Sequence, residues 1–128
     1  METPDDLYYT KEHCWVKEEG DQVRWGITDF AQSELGDVIF VEFPAVGEKV
    51  NRGERIGDVE SIKTVSNLYA PLTGTVIAVN TALNKSPEFI NQSPYGDGWI
   101  CLMQPDSSED IGGLLDVAQY IELIQAGQ

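Results

Sequence analysis

Short runs rich in β-branched and aromatic residues, each bounded by glycine, proline or asparagine, constrain the fold of this chain more than any other feature. They are Gln22 to Gly26, Val38 to Phe43, Arg55 to Ser61, Thr64 to Leu68, Gly74 to Asn80 and Trp99 to Gln104. Runs of this length and composition suit strands and are too short for self-standing helices. Turn signals separate them at Pro44-Ala45-Val46-Gly47-Glu48, Asn51-Arg52-Gly53-Glu54 and Pro71-Leu72-Thr73-Gly74. Thr75 to Asn80 does not alternate cleanly, which predicts a strand lying between two layers. The expected architecture is mainly β, a flattened barrel or two-sheet sandwich.

Helices are few and peripheral. Asp29 with Gln32 three residues on has a capping-box pattern and Gly36 supplies a stop, predicting a short helix from Phe30 to Leu35. Ser107 or Ser108 can cap a turn before Ile111, with Leu114 and Leu115 after the Gly112-Gly113 interruption. A final helix follows Asp116, where Val117, Tyr120, Ile121 and Ile124 fall at i, i+3, i+4 and i+7, the stripe of a helix packed as a lid on one sheet. At 128 residues the chain is expected to form one domain over 1–128, burying roughly two-thirds of its unfolded surface.

Charge and residue usage exclude several functions. Twenty-two Asp+Glu against 8 Lys+Arg give a formal net charge of −14, which repels phosphate backbones and argues against nucleic-acid binding. No lysine or arginine follows Lys85. Solubility explains such a balance, and so does steering toward basic docking faces. No apolar run approaches the roughly 18 residues of a membrane span, and the acidic start Met1 to Asp6 is unlike a secretory signal. A cytoplasmic monomer is expected, or residence in a matrix-like compartment if an import sequence has been removed. His13, Cys14 and Cys101 lack zinc-ligand spacing, and no phosphate-loop motif is present. Neither a metal nor catalytic machinery is expected.

One lysine stands apart. Lys63 falls between Ile56, Val59 and Ile62 on one side and Val65 and Leu68 on the other, so two strands should meet there and hold its amine in water. Val59-Glu60-Ser61-Ile62-Lys63, followed by Tyr69-Ala70-Pro71-Leu72-Thr73-Gly74, resembles the attachment site of the lipoyl domain superfamily. That family places an acid three before the modified lysine and a glycine eleven after it. Glu60 and Gly74 match, and the resemblance implies that they guide the modifying enzyme. Biotin carriers flank the lysine with methionines, and Ile62 and Thr64 do not match them.

The resemblance extends along the chain. Tyr9-Thr10-Lys11-Glu12-His13, Trp15-Val16, Gly26-Ile27-Thr28-Asp29, Ala31-Gln32, Leu35-Gly36-Asp37-Val38 and Asn91-Gln92-Ser93-Pro94-Tyr95-Gly96-Asp97-Gly98-Trp99 are similar, in order, to the H proteins of glycine cleavage. The resemblance implies a lipoyl-type sheet fold with quasi-twofold symmetry, echoed weakly by Val46 to Gly53 and the stretch around Gly74. It implies lipoate in amide linkage to Lys63, attached by a lipoate ligase or a lipoyl/octanoyl transferase. The arm would accept an aminomethyl group at glycine decarboxylase, surrender it to an aminomethyltransferase and be reoxidised by dihydrolipoamide dehydrogenase. Between visits it would rest in a cleft of Glu12, His13, Cys14, Ile27, Thr64 and Asn67. The protein is then a carrier and not an enzyme.

Three positions depart from the family pattern, since Cys14 and Asn67 stand where carboxylates are usual and Glu12 stands where a small polar residue is usual, an acid that could compensate in part. Alternatives therefore stay open: an H-like lipoate-binding protein serving the enzymes of a heterodisulfide-reductase-like sulfur oxidation, with Cys14 near the dithiolane, or a lipoyl-relay or regulatory protein.

Overall fold

The computed structural model describes residues 1–127. Its strands are β1 Tyr8–Tyr9, β2 Cys14–Glu19, β3 Gln22–Ile27, β4 Val38–Glu42, β5 Lys49–Val50, β6 Arg55–Ser61, β7 Val65–Tyr69, β8 Gly74–Val79 and β9 Cys101–Pro105. They pair into two antiparallel sheets, one of six strands ordered β1-β2-β3-β9-β8-β5 and one of three ordered β4-β6-β7. Inner-face side chains of both sheets, among them Val23, Trp25, Val76 and Met103 on one and Val41, Val59 and Leu68 on the other, form one core. The arrangement is the expected sandwich, and neither sheet closes into a barrel. The two segments with an internal echo lie side by side, because β5 pairs with β8 through Lys49↔Thr75 and Val50↔Gly74.

Local chemistry corrects several boundaries. The strand over β8 is not buried on both faces: Ile77 is 39% exposed. Its broken alternation comes from a register shift between Val76 and Ala78, which turns one residue out of the ladder. Strand β2 has no clean pattern because its first half, Cys14-Trp15-Val16, is buried throughout. Cys14 and Val16 enter the main core. Trp15 points the other way into a second cluster with Leu7, Tyr9 and Tyr120.

That second cluster seats helix α3, Val117–Gln125, opened by Asp116 with a capping box to Gln119. The packed stripe is Val117, Tyr120, Leu123 and Ile124; Leu123 takes the place expected for Ile121, which is exposed, because the helix is rolled toward the Leu123 side of the stripe read from spacing. Ser107 accepts from Glu109 N to open the turn over Ser108–Gly113. A short helix α2, Phe89–Gln92, covers the core with Ile90.

Helix α1 spans Asp29–Leu35, and its cap is Thr28, one residue before the expected Asp29. Thr28 Oγ1 accepts from Ala31 N at 3.2 Å, while Gln32 Nε2 donates to Asp29 Oδ1 at 2.7 Å, so the Asp-Gln pair is a surface bond within the first turn. Thr28 Oγ1 also shares a 2.7 Å hydrogen bond with Tyr120 Oη. Thr28→Val, which keeps the shape and removes the oxygen, is expected to cost about 1–2 kcal/mol in a urea melt, the usual cost of a lost cap, since Tyr120 Oη keeps its bond to His13. A change under a few tenths would show that the cap is dispensable.

Candidate functional site

The β6–β7 hairpin turns through Ile62, Lys63 and Thr64. The turn is organised by buried Ser61, whose Oγ accepts from Lys63 N at 3.2 Å and from Thr64 N at 3.1 Å. Ser61 N donates to Thr64 O at 2.8 Å, and Ile62 N donates to Asp37 O at 3.0 Å, fastening the tip to the corner between α1 and β4. At that corner Gly36 stops the helix with φ 79°, a left-handed value that glycine adopts without strain. A Cβ built on Gly36 would lie 3.5 Å from Lys63 Cε, so the lysine stem rests over the glycine. Lys63 is exposed, and its ammonium makes no ion pair among the described residues.

Beside the tip runs a cleft of about 530 Å³. One rim is Glu12, His13 and Cys14, and its floor and near wall come from Ile27 and α1, through Phe30, Ala31, Glu34 and Leu35. The far wall is Val59 and consecutive residues Thr64 to Leu68, because β7 is an edge strand and turns its unpaired side to the cleft. All six residues expected in the cleft, Glu12, His13, Cys14, Ile27, Thr64 and Asn67, line it. Phe30, Glu34 and Ser66 line it too. Helical periodicity could have found Glu34, one turn beyond Phe30 on the face that continues from Ile27.

His13, Cys14 and Asn67 are each held by specific contacts. His13 has φ 68°, unusual for a residue other than glycine, and its Nδ1 shares a 2.8 Å hydrogen bond with Tyr120 Oη. Its ring packs 4.9 Å from that of Phe30. Cys14 N donates to Thr10 Oγ1 at 3.1 Å. Burial pushes the Cys14 thiol up to about 12, the Thr10 hydroxyl offsets part of this and Glu12 adds to it, so the sulfur is protonated at neutral pH. Asn67 is bound up at its rim: Arg55 Nε donates to Oδ1 at 3.3 Å, and Asn67 Nδ2 donates to Tyr69 Oη at 3.2 Å. Arg55 also pairs with Asp58 and Glu42. Negative charge in the cleft therefore comes from Glu12 and Glu34.

The two expected enzyme-recognition residues part company. Glu60 lies on β6 beside the hairpin tip, half-buried, with no side-chain partner among the described residues. Gly74 lies in the other sheet, where a Cβ would come 2.3 Å from Gln104 O and 3.0 Å from Pro105 Cα. Packing of β8 on β9 accounts for the glycine there. No group of three or more His, Cys, Asp or Glu suited to a metal occurs among the described residues, and none of their helices is long and apolar enough to cross a membrane.

A family profile described as "Glycine cleavage H-protein" matches residues 7–127. The chain belongs to this family. It is 54% identical over 127 residues to the glycine cleavage system H protein of Geobacillus kaustophilus (strain HTA426), covering 99% of this chain and 100% of the relative. Against the H protein of Bacillus subtilis (strain 168) it is 52% identical over 125 residues, 98% of each. The crystal structure of a glycine cleavage system H protein from Mycobacterium marinum superposes with a TM-score of 0.87 at 43% identity, covering 98% of this chain and 100% of that one. The H-protein fold thus extends over the sheets, the hairpin and the cleft together.

Proposed function

We propose that this H-protein family member is the lipoyl carrier of a glycine cleavage system, with lipoate in amide linkage to Lys63. The observation that supports this most is the Lys63 ammonium, without an ion pair among the described residues, at a fastened hairpin tip beside a cleft lined by apolar side chains and two glutamates. Once attached, lipoate supplies a reversible disulfide on which the aminomethyl group of glycine travels between the enzymes of that system. The chain's own residues do the rest. Ser61 fixes where the arm begins, and Ile27, Phe30, Leu35, Val59 and Leu68 offer its hydrocarbon a surface away from water. Glu12 and Glu34 attract a cationic group brought to the rim, replacing the carboxylates expected at positions 14 and 67.

The sulfur-oxidation and relay alternatives gain no support. The relatives named above are H proteins of glycine cleavage. The protonated, buried Cys14 thiol is also a poor nucleophile toward a disulfide.

The test is peptide mapping after incubation with a lipoate ligase, ATP and lipoate. A single adduct on the peptide containing Lys63 is expected. An adduct on Lys85 instead, or on no lysine, would defeat the reading. Steering adds a second expectation, because the net charge is −14. The association rate with the ligase should fall as salt shortens the Debye length from roughly 30 Å to 8 Å. A flat salt dependence would leave solubility as the whole account of the acidic surface.

A further inference from the structure

Four of the large side chains that this fold leaves in water gather at the end that bears Lys63: Ile39 at 49% exposure, Phe40 at 54%, Ile62 at 69% and Val65 at 56%. Their grouping follows from strand register. Phe40 pairs with Glu60 and Glu60 with Val65, so the three side chains form one row across the outer face of the small sheet. A register shift between Val38 and Phe40 turns Ile39 out beside the row, and Ile62 projects from the tip next to Lys63. Adjacent strands lie about 4.8 Å apart, which sets Phe40 and Val65 about 10 Å from each other with Glu60 between them.

Glu60 differs from the other acids of this face. The next row is Glu42, Asp58 and Asn67, and Arg55 contacts all three. The Glu60 carboxylate has no such partner among the described residues. A carboxylate framed by two apolar side chains makes a strong, selective contact once a partner covers the frame, because excluding water strengthens an ion pair that is weak when solvated. Isolated surface hydrophobes need no explanation, whereas a contiguous group around one acid marks an interaction site.

We propose that the Phe40-Glu60-Val65 row, with Ile62 at its upper end, is the face on which the enzyme that acylates Lys63 docks, through a basic side chain of that enzyme set between apolar ones. The inference rests on the reading of Lys63 as the attachment point. An enzyme acting on the Lys63 amine must cover the tip, and this row adjoins it. The net charge of −14 favours a basic partner.

The experiment compares kcat/KM for lipoylation by a lipoate ligase across the wild type, Phe40→Ser, Val65→Thr, Glu60→Gln and the control Val46→Ser, whose residue is 59% exposed in the turn after β4. Melting temperatures and native masses are measured alongside. Phe40→Ser and Glu60→Gln should each lower kcat/KM about tenfold, mainly through KM, as expected for a central contact of a small interface. Glu60→Gln should also flatten the salt dependence, and Val65→Thr gives a gentler reading of the apolar frame if Phe40→Ser folds poorly. Val46→Ser should act as wild type. Equal kcat/KM for all variants would overturn the proposal, as would slowing by Glu60→Gln alone, which would reduce the face to a charge. A wild-type dimer that Phe40→Ser splits without slowing acylation would assign the row to a second copy of the chain and also overturn it. No acylation of the wild type on Lys63 would overturn both this proposal and the reading beneath it.

Discussion

Lys63→Arg is expected to abolish lipoylation while the protein unfolds at an unchanged urea concentration. Arginine keeps the charge and much of the length, but its guanidinium stays protonated in proteins and cannot serve as the nucleophile that forms the amide. The fold does not depend on this side chain. The turn is held by Ser61 Oγ, the Ser61–Thr64 backbone bond and the tether to Asp37, none of which involves the lysine stem. An exposed exchange of this kind costs under about 0.5 kcal/mol. Intact mass after exposure to a ligase gives the first readout and a denaturant curve the second. A variant still acylated at a comparable rate on another lysine would remove the claim that the hairpin selects its residue.

Gly74→Ala should cost more stability than Thr28→Val or Lys63→Arg. The new methyl would stand 2.3 Å from the Gln104 carbonyl oxygen and 3.0 Å from Pro105 Cα, both backbone neighbours, so β8 and β9 must separate to admit it. Overpacking against backbone is expected to cost about 2–3 kcal/mol, the upper part of the usual range. Because Gly74 lies in the other sheet from the hairpin, the fraction that stays folded should be acylated at the wild-type rate. The opposite outcome, a wild-type melt with slow acylation, would return Gly74 to the recognition role that its spacing from Lys63 suggests.

What the sequence made legible was local, and what it hid was assembled at a distance. Strand β6 begins and ends where its residues suggest, because Arg55 to Ser61 is bounded by turn residues and pairs along its length. Strand β2 escaped because burial of both Cys14 and Trp15 defeats alternation: one enters the main core while the other meets α3. The Asp29-Gln32 spacing satisfied a capping pattern, yet Thr28 is the cap since Tyr120, distant in sequence, holds its hydroxyl in place. The cleft shows the same division. Resemblance named residues from three segments that the fold brings together, but it missed Glu34, whose membership depends on which face of α1 turns inward. Resemblance also marked Asn67 as a lost charge without revealing Arg55 beside it.

The joint at Tyr120 has a dynamic consequence. Helix α3 buries a single side chain completely, Tyr120, and seats its other apolar residues only in part, so its detachment is expected to require far less than global unfolding. The Tyr120 hydroxyl meets both the His13 ring on one cleft rim and the Thr28 cap of the helix that forms a cleft wall. Each time α3 lifts, both lose that anchor together. The rate at which the cleft breathes is then set by a helix packed on the opposite side of β2, and amide exchange at Thr28 and Cys14 would keep time with exchange in α3.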